Sequence, residues 1–282
     1  MKNTYQVEQG QYIKIDAKGS IDKKTYWEFP ELDQESLIKD KDEAIVLLKK
    51  ELELAVSDQL MSDVPLGTFL SGGIDSPLIT YMAKKRKNDI KAFTIGSDSK
   101  IHDESQDASS FAKQIGCELV SKKMIALDAR EILESCMSNL QEPFADFSIL
   151  PTYELTKKSS KEFTVMLSGD GGDELFFGYE RFNSIAKNYN WLFIPEKLRY
   201  ICYGIDKILT KNKNINGGIL ANSLSNAHQE LHSRTIDEDL CEVFPNLKTI
   251  QTPHLPFYEY SEKTDKLTFL HNMRKAEFYG MM

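Results

Sequence analysis

The sequence predicts an α/β fold, a parallel five-stranded sheet with helices on both faces followed by a helical region, and three observations predict it. Between Val64 and Phe177, short strand-like runs alternate with longer helix-like runs, the pattern of parallel strands joined by crossover helices. Two of the strand-like runs, ending at Leu70 and Leu167, pass directly into glycine-rich turns. The composition is globular: of 282 residues, 41% are hydrophobic and 28% charged, which sets aside disordered, collagen-like and coiled-coil classes.

The elements follow in order. Tyr12–Asp16 and Thr25–Phe29 alternate in strand fashion around the turn-forming Lys18-Gly19-Ser20 and predict a hairpin. An isolated hairpin is marginal in water, so Tyr26, Trp27 and Phe29 require a covering surface, from the following domain or from a partner. A helix is expected over 34–62, with Ile45, Leu48, Leu52, Ala55, Val56 and Leu60 as its buried stripe. Then come a strand at 66–70, a helix at 77–87, a strand at 90–95 and a helix at 104–115 ended by Gly116. A strand at 118–124, helices at 128–140 and 149–161 and a strand at 163–167 complete the alternation. From Tyr179 on, the chain reads as helical, with an exposed polar loop at 211–225.

Charge and pattern exclude several functions. Lys+Arg 35 against Asp+Glu 43 gives net −8, the wrong sign for gripping phosphate backbones, so no nucleic-acid partner is expected. No run approaches the roughly eighteen apolar residues of a membrane helix, and the polar start has no signal core, so no membrane and a cytoplasmic location are expected. Cys117, Cys136, Cys202 and Cys241 form no CxxC pair and are expected as buried, reduced thiols. His228 and His232 share one helical face, but Glu230 lies two residues from each, so an exposed polar helix is expected there rather than a zinc site.

The chemistry is concentrated in two loops. Phe69-Leu70-Ser71-Gly72-Gly73-Ile74-Asp75-Ser76 runs from an apolar strand through two glycines into a helix. The glycines allow a sharp turn and close backbone approach, and free N–H groups at a helix start favour an anion. No GK[ST] follows, so this is not a Walker A loop. An acidic Asp75 in a phosphate-holding loop calls for a cation between the two, which points to Mg²⁺. The bland alternative is an ordinary strand–turn–helix with spare glycines. The second cluster, Ser168-Gly169-Asp170-Gly171-Gly172-Asp173-Glu174, sets three carboxylates among three glycines, which repel one another unless they face a metal or a cationic substrate. It lacks the D-x-[DN]-x-[DN]-G spacing of a calcium loop.

Ser71-Gly72-Gly73-x-Asp75-Ser76 resembles the pyrophosphate-binding PP-loop of the N-type ATP pyrophosphatases, an adenine nucleotide alpha hydrolase-like fold. Five fixed positions recur by chance on the order of once per million windows. Pro77 stands where that family usually has a second Ser or Thr, which costs a hydroxyl but is tolerated in a first helical turn. With the second cluster and Glu142-Pro143-Phe144-Ala145-Asp146, residues 45–182 resemble the synthetase domain of asparagine synthetases and the related β-lactam synthetases. The resemblance implies a hairpin at 1–30 like the tail of a glutaminase domain, a PP-loop domain at 31–182 and a helical C-terminal part at 183–282. In this family pattern position 2 would be Cys rather than Lys, and the Lys-x-Asp-Arg-x-Ser-Met segment would follow beyond Met282, so the chain is expected to be short at both ends.

Carried over by position, the resemblance implies ATP as substrate and Mg²⁺ held by Asp75 and Asp173. Ser71, Gly72, Gly73, Asp75 and Ser76 would hold pyrophosphate, and Phe69, Leu70, Ile95, Ser168 and Gly169 would contact the adenylate. Asp170 matches a carboxylate tied to forming or aminating the acyl-adenylate; alternatively it only tightens its loop. Phe177 stands where the family usually has Gly. His102-Asp103-Glu104 resembles the family's acidic loop, with a helix-start role for Asp103 and Glu104 as ready an explanation as catalysis. Arg181 and Lys100 are of a length to reach phosphate, though nothing in their spacing singles them out. The implied reaction is adenylation of a small-molecule carboxylate, by default aspartate, then amination by ammonia from a glutaminase domain or subunit outside this chain; a homodimer is compatible. Another acyl substrate, or a nucleotide-binding module without turnover, are the alternatives.

Overall fold

The computed structural model describes residues 5–98, 103–125, 129–140, 146, 148–195, 197–202, 228 and 264–281. The chain divides into two compact units, Ser36–Asp170 and Met1–Glu35 with Gly171–Met282.

The first unit begins with α1 (Lys41–Gln59). It starts seven residues later than expected because Asp40 is its N-cap, its side chain accepting the Glu43 N–H at 2.8 Å. Val56 is buried, and Leu52 and Leu60 pack against the core, but Ile45, Leu48 and Ala55 of the expected stripe are exposed. Only the C-terminal half of α1 meets the sheet. β3 (Leu66–Phe69), α2 (Asp75–Arg86), β4 (Lys91–Ser97), α3 (Ser105–Ile115) and β5 (Glu118–Met124) follow. Gly116 ends α3 at φ 72°, a left-handed cap that glycine adopts without strain. Then come α4 (Ala129–Asn139), α5 (Ile149–Ser159) and β6 (Val165–Leu167). The N-terminal hairpin belongs to the second unit.

The sheet is parallel throughout, in the order β5-β4-β3-β6. Among the described residues it has four strands, not the five expected: the strand-like runs of the sequence account for these four and leave no described segment to supply another. Leu66, Leu70 and Ala92 join Val56 of α1, Met82 and Ala83 of α2 and Ala108 and Ala112 of α3 in one core. Phe93, whose side chain points to the opposite face from Ala92, is equally buried and meets Phe163 edge-on at 5.5 Å, while α5 packs on β4 and β5. Both faces are therefore covered, as expected of a parallel sheet. From β3 the chain steps outward to β4 and β5, then returns to place β6 on the other side of β3. Strand order reverses at β3, where ligands of open parallel sheets bind beyond the carboxyl ends.

In the second unit β1 (Gln11–Ile15) pairs antiparallel with β2 (Ile21–Thr25). Asp16 closes the turn by accepting the Lys18 and Ser20 N–H groups, so Ile15 faces Ile21 and the ladder ends at Gln11 opposite Thr25. Residues 26–29 therefore run past the strand that was expected to include them. Phe29 is buried within the unit against Phe278 of the last helix, 5.3 Å between ring centroids; Trp27 meets the same ring at 5.4 Å but stays partly exposed, and Tyr26 is exposed. Among the described residues α6 (Gly172–Phe176), α7 (Glu180–Asn188) and α8 (Lys266–Met281) also belong to this unit, with Phe182, Ile185, Tyr189, Phe269 and Met273 as a core.

Its interior also holds charge. Glu277, fully buried, accepts from Arg181 through both oxygens and lies 2.7 Å from His228 Nε2. His228 is thus a buried partner rather than part of an exposed polar face; His232 and the rest of that segment lie outside the described residues, as do the predicted loop at 211–225, Lys100, His102, residues 142–145 and Cys241. Cys117 and Cys136 are buried as expected, but Cys202 is exposed. Among the described residues no helix is long and apolar enough to cross a membrane.

Candidate functional site

The loop after β3 is built by short-range bonds. Leu70 N–H pairs with the Phe93 carbonyl at 2.9 Å, keeping the strand regular up to the turn. Ser71 N–H then donates to Ser76 Oγ at 2.8 Å, the two serine hydroxyls lie 2.9 Å apart, and Gly73 N–H donates to Ser71 Oγ at 3.2 Å. Asp75 and Ser76 form the first turn of α2 and are half-buried, and Ile74, at the N-cap position, offers no side-chain acceptor to the helix. The first N–H groups of α2 thus lack the usual side-chain cap. Pro77, buried in the same turn, lacks an N–H just where a helix needs none, and the helix is intact.

The loop after β6 lies over that turn. A Cβ on Gly169 would stand 2.7 Å from Ser76 N and 2.8 Å from Asp75 Cβ, so only glycine allows the two backbones to come this close. Ser168 donates its hydroxyl to Asp170 Oδ2 at 2.9 Å, and Asp170 itself is exposed. Both strand-end loops of the switch point therefore converge on the start of α2, bringing Ser71, Gly72, Gly73, Asp75, Ser76, Ser168, Gly169 and Asp170 into one region. Phe69 and Leu70 end β3 beside it, and Ile95 lies on the neighbouring strand opposite Lys122.

Asp103 and Glu104 sit at the start of α3. Asp103 accepts from Ser97 N–H at 3.3 Å and Ser105 N–H at 3.1 Å, joining the end of β4 to the helix; the Ser105 bonds hold its carboxyl below the usual range. Glu104 accepts the Gly72 N–H at 3.0 Å. That contact joins residues far apart in sequence, and the sequence carried no sign of it.

Asp173 belongs to the second unit, in α6. Its carbonyl accepts the Phe177 and Gly178 N–H groups, and its side chain leaves no room for a Cβ at Gly178. Phe177 has φ 59°, the one left-handed non-glycine among the described residues, which accounts for the glycine usual at this position. Its ring is held edge-on by Phe182 at 5.0 Å. Tyr179 donates to the buried Glu174, and burial, then that carboxylate, pushes the phenol up. Arg181, committed to Glu277, also stacks on Tyr179 at 3.7 Å and is part of the interior.

Among the described residues no three His, Cys, Asp or Glu side chains form a ready-made metal cage. That is compatible with Mg²⁺, which takes one or two carboxylates and completes its shell with substrate phosphate and water. Asp75 is a carboxylate in the first turn of a helix with no side-chain cap, a donor of the kind such an ion accepts.

Fold and loops define the class: a parallel α/β protein with two glycine-rich strand-end loops meeting over an uncapped helix start. The chain belongs to the asparagine synthase family, whose family model matches residues 47–267. It is 34% identical over 177 residues to asparagine synthetase [glutamine-hydrolyzing] 1 of Bacillus subtilis, covering 61% of this chain and 27% of that protein. A putative asparagine synthetase [glutamine-hydrolyzing] 2 of Methanocaldococcus jannaschii is 35% identical over 181 residues, 63% of this chain and 34% of that one. The matched part thus spans about a third or less of these relatives. An NH3-dependent NAD synthetase structure from Campylobacter jejuni superposes with TM-score 0.35 and 14% identity, covering 74% of this chain and 98% of its own.

Proposed function

We propose that this chain is the ATP-using part of an amide-forming synthetase, which adenylates a side-chain carboxylate with release of pyrophosphate and then passes the acyl group to ammonia. The observation that carries the reading is the close approach of Gly169 to Asp75 and Ser76, which sets both glycine-rich loops around one helix start at the strand switch point.

In this reading the backbone of Ser71–Gly73 and the start of α2 bind the pyrophosphate portion of ATP, while Phe69, Leu70, Ile95, Ser168 and Gly169 line the adenylate. Asp75 and Asp173 would hold Mg²⁺, whose chemistry is to neutralise the charge of the pyrophosphate. The substrate carboxylate, by default that of aspartate, attacks the α-phosphorus; the bond to the bridging oxygen breaks and pyrophosphate leaves. Ammonia then attacks the acyl carbon, AMP departs with its phosphate oxygen, and the nitrogen loses a proton. Asp170, exposed beside Gly169, is the carboxylate set to accept that proton or to orient the acyl group. Ammonia would come from a glutamine-hydrolysing domain or subunit; the two relatives carry the words glutamine-hydrolyzing in their names. We place the reaction in the cytoplasm.

The test is pyrophosphate release by the protein with Mg²⁺, ATP, ammonium and a panel of carboxylates, alongside calorimetric binding of Mg²⁺·pyrophosphate. Aspartate-dependent release is expected. Binding without release for any carboxylate would favour a nucleotide-binding module, and absence of Mg²⁺-dependent binding would overturn the PP-loop assignment.

A further inference from the structure

Three amide groups of the loop after β3 already have acceptors. For Ser71 and Gly73 these are the hydroxyls of Ser76 and Ser71, which can rotate and become donors when an anion arrives. The third is different in kind. Gly72 N–H donates to the carboxylate of Glu104, an acceptor only, and one supplied by the start of α3 rather than by the loop.

The packing shows how that carboxylate is delivered. A Cβ on Gly72 would stand 3.0 Å from the Cβ of both Glu104 and Asp107, so the stem of Glu104 lies directly against the Gly72 α-carbon. The start of α3 is in turn tied to the end of β4 through Asp103, which accepts from Ser97 and Ser105. Glu104 is therefore presented from a fixed point with its aliphatic stem packed. The residue as a whole is exposed, so it is the contact of its stem with Gly72 that holds it against the loop. A supporting group anchored in this way sets the geometry of the groups it bonds.

We infer that Glu104 is a positioning residue of the loop: by holding the Gly72 N–H it takes that one amide out of phosphate contact and fixes the turn through Gly72-Gly73, so that the Ser71 and Gly73 amides and those opening α2 face the pyrophosphate of the nucleotide. This rests on the proposed reading of the site. The hydrogen bond does the work, and the negative charge is incidental to it.

The test compares the full chain with Glu104→Ala and Glu104→Gln, using Mg²⁺·pyrophosphate as calorimetric probe and amide hydrogen exchange at Gly72 as a readout independent of ligand. Loss of that hydrogen bond in Glu104→Ala is expected to weaken pyrophosphate binding about tenfold and to speed Gly72 exchange by a similar factor. Glu104→Gln, whose amide oxygen accepts the same bond, is expected to stay within about twofold of wild type on both. Binding by Glu104→Ala that equals or exceeds wild type would overturn the inference, an increase marking Glu104 as a competing anion. A fall in Glu104→Gln as large as that in Glu104→Ala would also overturn it, because charge would then be what matters. If wild type fails to bind pyrophosphate, the site reading falls, and unchanged Gly72 exchange in Glu104→Ala would separately remove the hold on the loop.

Discussion

Gly169 lies so close over Asp75 that a single added methyl would stand 2.8 Å from the Asp75 Cβ and 2.7 Å from the next backbone nitrogen. The neighbours at that point are the rigid first turn of α2 and its backbone, which cannot swing aside as a side-chain tip would. Gly169→Ala must therefore part the two loops. It is expected to cost about 1–3 kcal/mol of stability, the range for overpacking, read by urea unfolding. Mg²⁺·pyrophosphate affinity is expected to fall by about tenfold or more, since misplacement by an ångström at a site is expensive. A variant that keeps wild-type affinity would show that the loop after β6 takes no part in the site.

Asp75→Asn and Asp173→Asn keep the side-chain shape and remove the charge a hard cation requires. Each is expected to abolish the Mg²⁺ dependence of pyrophosphate binding while the fold, followed by circular dichroism, is retained. Either variant with an unchanged Mg²⁺ titration would remove that residue from the ligand set.

The parts of this protein that were legible in its sequence are those specified locally. A strand, two glycines and a helix start are contiguous in Phe69–Ser76, and the left-handed stop at Gly116 is a one-residue event. α1 is shorter than its apolar spacing implies because Asp40 caps it, and Ile45 and Leu48 stay exposed despite that spacing. Contacts across sequence were not legible at all. Nothing near Gly72 announces Glu104, and nothing near His228 announces Glu277, which turns an apparently polar face into an interior one.

That interior carboxylate supplies a third prediction. Removing one partner of a buried ion pair leaves the other uncompensated, which typically costs roughly 3–5 kcal/mol. Glu277→Ala takes a fully buried carboxylate away from both Arg181 and His228, so a loss in that range is expected in urea unfolding. Arg181→Met is expected to lower stability as well, while leaving Mg²⁺·pyrophosphate affinity within about twofold, because its guanidinium is spent on Glu277 and Tyr179. A large loss of affinity with unchanged stability would instead return Arg181 to the list of phosphate ligands.

The buried imidazole of His271 makes stability depend on pH. It packs edge-on to Phe29 at 5.7 Å, and its Nδ1 lies 3.1 Å from an Arg274 nitrogen. Burial first, then the Arg274 and Lys275 cations, lower its pKa; Glu31 and the Pro30 carbonyl pull the other way without reversing the result. The folded value thus lies below the ordinary one of about 6.5. As pH falls below about 6.5, the unfolded chain takes up a proton that the folded chain refuses, so stability declines until the folded imidazole also titrates. The Asp265 carboxyl, lowered chiefly by its Thr268 bond, contributes only in a more acidic window, as pH falls below its ordinary 3.8. His271→Gln removes the titration and keeps a neutral polar group. Its urea midpoint relative to wild type is expected to improve steadily from pH 7 toward about pH 5. Every group other than His271 is common to both proteins and drops out of that difference, so a difference that stays flat with pH would show that His271 is not the group responsible.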